Sequence, residues 1–507
     1  MVLVLTFSVL CSLTFFRYDF AVYGLLAPEI GAAFFPKSSA KLQLINSFGI
    51  YLAAFLMRPI GAIFFGELGD RVFGRKHALV VSIVLITVPS VLMGILPGYD
   101  TWSWVSPVLL VLLRMLQGLS VGGQLAGSYV LAIEQASSST RGFRGAVCDA
   151  SSVGGFLLAS AVTSTVRFLF TAEQVNDWAW RVPFWFSLVL APVLYNVVKH
   201  TEESKHWEER TDLKDTEDMI RQAEASDTTA QPAFMDILQS PFRRRQLAGA
   251  IGALSAVTSS FYVLLLFTPV YLSELRGIMS QRDADFMNLC VVACYIVFVL
   301  IAGKASDGFE HRMDLIRIGL PGIMVACPTM LGMFESNSWW GILIAQLQFG
   351  ACLAMVQGSI AAWEVELWMA DPTLSFTGVA IGHNVASTIF GGTMPLIATS
   401  LFYHMDNIAN ENSDDFWVRM FPRLVPGLYV SILAILSWIC VSFVVRHPHD
   451  VRVGNKKLKA IVEQDRRKFK EEQAARKKAK KKRKQQQLGQ LESGNYYQPP
   501  STTAVFT

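Results

Sequence analysis

Residues 66–76 read GELGDRVFGRK, a short charged stretch set between two long apolar ones. Upstream runs INSFGIYLAAFLMRPIGAIFF (45–65) and downstream HALVVSIVLITVPSVLMGIL (77–96). As a helix, each is long enough to cross a hydrocarbon core of ~30 Å. The charged stretch is then a polar turn between two membrane spans, with Asp70, Arg71, Arg75 and Lys76 at the water boundary. Gly66 and Gly69 let backbones approach closely, and Asp70 can accept hydrogen bonds from the N-terminus of a neighbouring helix.

This turn has an echo. Gly66, Gly69 and Asp70 of GELGD match Gly303, Ser306 and Asp307 of GKASD, 237 residues on. LRMLQG (113–118) matches LAMVQG (353–358) at an offset of 240, and VGG (153–155) matches FGG (390–392) at 237. Three short matches in one order and at nearly one offset point to an internal duplication. A membrane protein built from two similar halves is expected to be a transporter with its site between them.

Composition agrees. The 507 residues are 52% hydrophobic and 17% charged, which excludes an ordinary soluble chain. The seven cysteines lie in apolar segments without metal-ligand spacing, so they read as small buried hydrophobes. No basic stretch precedes the first apolar run, so residues 1–16 read as the start of a span rather than a cleavable signal. There is no GxSxG, P-loop, HExxH or CxxC pair, hence no expected catalytic site, metal, cofactor or coupling to ATP.

Twelve all-α spans are expected, near 3–35, 42–65, 77–97, 105–134, 144–170, 181–199, 246–272, 284–304, 313–334, 338–367, 376–403 and 421–446. They divide into a first six-helix bundle (1–200), a linker (201–245), a second bundle (246–446) and a basic, largely disordered tail (447–507). Basic residues such as Arg71, Arg75, Lys76, Arg141, Arg144, Lys304, Arg312 and Arg317 gather on one side, which places both termini in the cytoplasm. In the linker HTEESKHWEERTDLKDTEDMIRQAEA (200–225) reads as a charged surface helix, and PFRRRQ (241–246) then reads as an interfacial anchor just before the seventh span. The tail carries 16 Lys and Arg against four acids between Arg452 and Lys484; on a polytopic chain this suits anionic lipid rather than nucleic acid.

An ionisable group inside a span is costly, so each one is a functional candidate. In the first span Asp19 and Tyr23 share a helix face, while Arg17 lies two positions from Asp19 and off that face. In the fourth span Arg114, Gln117, Val121 and Gln124 form one stripe, and Gly118 and Gly122 form a GxxxG contact. Gln117 and Gln124 both donate and accept hydrogen bonds, which suits a polar small molecule. Arg114 is either a substrate clamp or the internal partner of Asp149 or Asp19, the ion pair being favoured. Arg58, Tyr262 and Asn384 complete the candidate substrate contacts; Asp19 and Asp149 are the candidate proton sites. His383 reads as structural. Glu134 with Arg141, and Glu366 opposite the Asp307 turn, are candidate gate residues beside Gly66, Gly69, Asp70, Arg71 and Arg75.

Several motifs carry a resemblance: DFAVYG (19–24), RPIGAIFFGELGDR (58–71), RMLQGLSVGGQ (114–124), RGF (141–143), WRVPF (180–184) and FGGTMP (390–395). Together they resemble the major facilitator superfamily, and within it the metabolite:proton symporters that carry osmolytes, dicarboxylates and shikimate. The resemblance covers about residues 15–446 and implies two six-helix bundles around a central site that works by alternating access. It also implies glutamates where this chain has Phe16 and Gln124, and an aromatic where it has Arg17, so Asp19, Glu134 and Asp149 are the acids left for proton coupling. The expected function is secondary transport of a small polar organic solute, an organic acid or osmolyte, with a proton, by a monomer in the plasma membrane. A uniporter or exchanger of a sugar or zwitterion, and a receptor signalling through the basic tail, stay open as alternatives.

Overall fold

The computed structural model describes residues 2–67, 74–134, 136–137, 139–199, 233–336, 338–369, 374–412 and 416–445. Among them every regular element is helical. Helices stand at all twelve expected positions, and nine are long and apolar enough to cross a membrane. The other three positions hold the first span (Val2–Leu25, then Ala27–Phe34), the third (Gly74–Ile95) and the sixth (Val182–Trp185, then Ser187–Lys199). The expected linker surface helix and the basic tail lie outside the described residues, although Ala233–Gln239 at the end of the linker is helical.

Sequence explains where helices start and break. The seventh span begins at Pro241, five residues before its expected start at 246, so Arg243, Arg244 and Arg245 sit on its first turns rather than ahead of it. The signal is local: the Ser240 hydroxyl accepts from the Arg243 amide and Pro241 opens the helix, a preferred N-terminal arrangement. The fourth span is two helices, Val105–Val121 and Gln124–Glu134, parted at Gly122 and Gly123, where helix formation is least favoured. The seventh and eleventh spans loosen into π-helical turns at Val263–Phe267 and Ser387–Gly392.

The helices pack in a pattern that repeats. In the first half, span two packs on four, three on four, three on six, one on five and one on six. In the second half, eight packs on ten, nine on ten, nine on twelve, seven on eleven and seven on twelve. Each pair is the earlier one displaced by six spans, so the sequence echo is a structural duplication. The halves meet through spans five and eight, five and ten, two and eleven, and four and eleven. Outward stripes such as Leu56, Ile60 and Ile63, or Val84, Val88 and Leu92, stay exposed. In water such patches are a liability; against lipid tails they are the natural surface.

The expected GxxxG contact is present. A Cβ on Gly118 would lie 1.8 Å from the Ala54 carbonyl oxygen, and one on Gly122 would lie 2.1 Å from that of Arg58. Spans two and four therefore touch backbone to backbone, and no side-chain motion can relieve an added methyl group. Gly118→Val should destabilise the fold by at least about 2 kcal/mol through overpacking. A thermal-unfolding scan of the purified protein should show a drop of several degrees, while Leu56→Val on the lipid face should leave the midpoint nearly unchanged.

Candidate substrate cavity and gates

A small cavity lies where the halves meet. The first half supplies Arg17, Tyr129, Asp149 and Ser152; the second supplies Thr258, Phe261, Tyr262, Gln357, His383 and Ser387. Its free space is about 20 Å³, room for roughly one water molecule and no metabolite. The polar groups form a chain across the interface. Asp149 Oδ1 accepts from the Tyr129 hydroxyl and, at 2.8 Å, from Gln357 Nε2, while Asp149 Oδ2 is buried without a partner. His383 Nδ1 lies 3.1 Å from Glu364 Oε2, and the His383 ring packs edge-on against Tyr129. From the first span, Arg17 Nη1 donates to the Tyr262 hydroxyl at 3.2 Å.

Of the expected substrate contacts, Tyr262 lines this cavity, as does the expected proton site Asp149. The others lie elsewhere. Asp19 is buried inside the first half and accepts from the Ser187 hydroxyl. Tyr23 donates to the Ser47 carbonyl at 3.2 Å. Gln117 donates to Ser90 at 2.5 Å and Gln124 donates to Ser82, so the polar stripe of span four faces span three. Asn384 ties the halves together by donating to the Gly122 carbonyl at 2.6 Å, at the break in span four.

The favoured ion pair of Arg114 is not present. Asp149 sits in the cavity instead, and no ion pair joins Arg114 to Asp19. Arg114 Nη1 donates to Gln117 Oε1 at 2.6 Å, and its guanidinium stacks 4.6 Å from the Phe20 ring centre and 4.2 Å from that of Tyr23. Arg58 stacks 4.2 Å from Phe20 and 3.9 Å from Phe55. Aromatic faces attract cations, which explains how two guanidiniums are held in the interior without carboxylates. Tyr51, Phe55 and Tyr262 pack edge to face and close this compartment from the cavity.

Both ends of the interface are sealed by charge. Where span five begins, the Gly142 and Phe143 amides donate to the Asp307 carboxylate at 2.8 and 2.9 Å. Arg312 bonds Asp307 at 2.8 Å and Glu366 at 3.0 Å, and Arg141 lies 3.8 Å from Glu366. Arg141 thus pairs with Glu366 rather than with Glu134, which is exposed. Gly69, Asp70 and Arg71 lie outside the described residues; Gly66 and Arg75 are placed as helix backbone alone.

The opposite seal was not foreseen. Arg167 near the end of span five bonds Glu29 of span one at 2.7 Å and Asp285 of span eight, all three side chains at most 5% exposed. Arg282 Nη2 donates to the Arg167 carbonyl at 3.1 Å. These three charges stand toward the ends of expected spans and are not among the candidates drawn from the sequence. The usable signal was that Glu29, Arg167 and Asp285 each fall inside an expected span.

The chain matches the sugar (and other) transporter family over residues 4–402. It is similar to the proline/betaine transporter of Salmonella typhimurium, 27% identical over 83% of this chain and 79% of that protein. It is likewise similar to the citrate-proton symporter of Klebsiella pneumoniae, 25% identical over 85% of this chain and 89% of the other. Among solved structures, a D-xylose-proton symporter superposes with a TM-score of 0.64 at 18% identity, covering 88% of this chain and 98% of its own. The partially occluded inward-open xylose transporter XylE from E. coli superposes with a TM-score of 0.62 at 19% identity, covering 86% and 98%. The chain belongs to the sugar (and other) transporter family of the major facilitator superfamily and is a multi-pass membrane transporter, not an enzyme.

Proposed function

We propose that this transporter moves a small polar organic solute together with a proton by alternating access at the cavity between its halves, with Asp149 as the proton site. The observation that carries the reading is Asp149 itself: a carboxylate shared between the halves, hydrogen-bonded through one oxygen and without a partner on the other. A buried carboxylate with no cation in direct contact, Arg17 only facing it across the cavity, is costly when charged, and a proton removes the cost. Tyr129, Tyr295, Glu364 and His383 are the titratable groups facing it, from spans four, eight, ten and eleven. The relatives named for proline/betaine and citrate, and the structural neighbours named for xylose, support a small organic solute.

The two charged seals are the gates. We assign the Asp307–Arg312–Glu366–Arg141 cluster to the cytoplasmic side, with both termini, and the Arg167–Glu29–Asp285 triad to the outer side, in the plasma membrane. With both closed the cavity would be cut off from both faces. Opening one end breaks one cluster while the other holds, and only a solute that binds the occluded state better than the open ones lowers the barrier between them. The basic tail would lie against anionic lipid, and one chain suffices for the cycle. Phe16 and Gln124, neutral where the family resemblance implies acids, favour exchange as a second reading.

Two measurements test this. In proteoliposomes offered glycine betaine, citrate and xylose under an imposed pH gradient, Asp149→Asn should lose gradient-driven accumulation down to empty-vesicle level while keeping solute exchange. Undiminished gradient-driven uptake by Asp149→Asn would remove the proton role. For the gate, a cysteine replacing the buried Ala361, which packs against Gly145 between cavity and seal, reports opening. Asp307→Ala removes two charge-assisted amide bonds, each worth about 1.5–3 kcal/mol, so maleimide labelling at 361 should rise at least tenfold.

A further inference from the structure

Arg17 is the charged side chain of the cavity that the proton step leaves unexplained. It is 8% exposed, and its hydrogen bond to Tyr262 reaches a neutral hydroxyl from the other half. No carboxylate among the described residues lies within ion-pair distance of it. Arg58 and Arg114 have buried Nε and Nη2 atoms without partners and stack on aromatic rings; Arg17 instead is a lining residue of the cavity, its Nη1 on the hydroxyl of Tyr262, another lining residue. A cation held this way is expensive unless something negative joins it. A guanidinium presents a planar fork of donors that matches a carboxylate in a bidentate pair.

The charges of the cavity wall set what that partner must be. With Asp149 ionised, Arg17 and Asp149 balance across the cavity; once Asp149 takes a proton, the Arg17 charge is uncompensated. One carboxylate restores the balance, so proton and carboxylate each favour the other's binding. Ser152, Thr258 and Ser387 offer hydroxyls to the rest of such a molecule. We propose that Arg17, lining the cavity opposite Tyr262, is the clamp for a carboxylate on the transported solute, which is therefore a small organic acid or a carboxylate-bearing zwitterion rather than a sugar. This rests on the transport reading above.

The test compares matched solutes on the full-length purified protein. Thermal-shift titrations with glycolate, malate, citrate and glycine betaine are set against glycolamide, glycerol, xylose and choline, which lack the carboxylate. At least one carboxylate should stabilise the wild type, and its carboxylate-free counterpart should not. Arg17→Gln and Arg17→Phe should weaken that binding at least about tenfold, as expected for losing a charge-assisted pair, with Arg17→Lys intermediate. If Arg17→Gln fails to fold, the KM of Arg17→Lys carries the comparison. Carboxylate binding unchanged in Arg17→Gln, or stabilisation by the carboxylate-free solutes alone, overturns the clamp. Pairing with pH-driven uptake separates the two ideas. Xylose or choline accumulated equally by wild type and Arg17→Gln sinks the clamp and leaves transport standing, whereas a wild type that accumulates none of the eight solutes sinks the transport reading and the clamp with it.

Discussion

An uncompensated charge cannot rest in a low-dielectric interior, and most of this molecule's organisation follows from that constraint. The buried arginines and Asp149 show three solutions. Arg167 is neutralised by two carboxylates from two other spans. Arg58 and Arg114 lean on aromatic rings. Arg17 and Asp149 are left facing shared space with only neutral partners. The first solution locks helices together, the second stiffens one half, and the third leaves room for a visitor.

The locks sit at both ends of one helix pair. Span five meets span eight through the Asp307 carboxylate at one end and through Asp285 at the other, with Asn288 donating to Ser160 at 3.2 Å between them. Glycine at 142 and 303 brings the backbones close at the Asp307 end, since a Cβ on Gly303 would fall 2.1 Å from that of Ala146. Truncating one member of such a buried charged set costs more than the set is worth, because the remaining ions lose their partner. Two charged clusters on one pair of helices are what the proposed gates require, since simultaneous opening at both ends would break both.

The architecture was legible because it rests on periodicity and composition. Runs of apolar residues separated by charged turns mark the helices, and the GELGD and GKASD echo marked the duplication that the packing pattern repeats. The chemistry was legible only in part. Asp149 and Tyr262 reach the cavity, and Asp307 and Glu366 meet at a seal. Helical spacing correctly put Gln117 and Gln124 on one stripe, but spacing has no reference for which neighbour a stripe meets, and theirs is span three. His383 reads as structural, and its contact with Glu364, nineteen positions earlier on another helix, leaves no mark in local spacing. The Arg167 triad joins positions 29, 167 and 285: each charge falls inside an expected span, but nothing in local spacing says that the three meet.

The π-helical turns are unevenly shared. Val263–Phe267, Tyr271–Leu275, Ser387–Gly392 and Cys440–Val444 all belong to the second half, and the first half has none among its described residues. A π turn shifts the backbone ladder by one residue, and such irregularities are where helices bend most readily. The duplication is therefore symmetric in layout and lopsided in where the backbone ladder slips. Because Ser387 lies in one such turn and Tyr262 directly precedes another, a bend at either would reshape the cavity wall from the carboxy-terminal side.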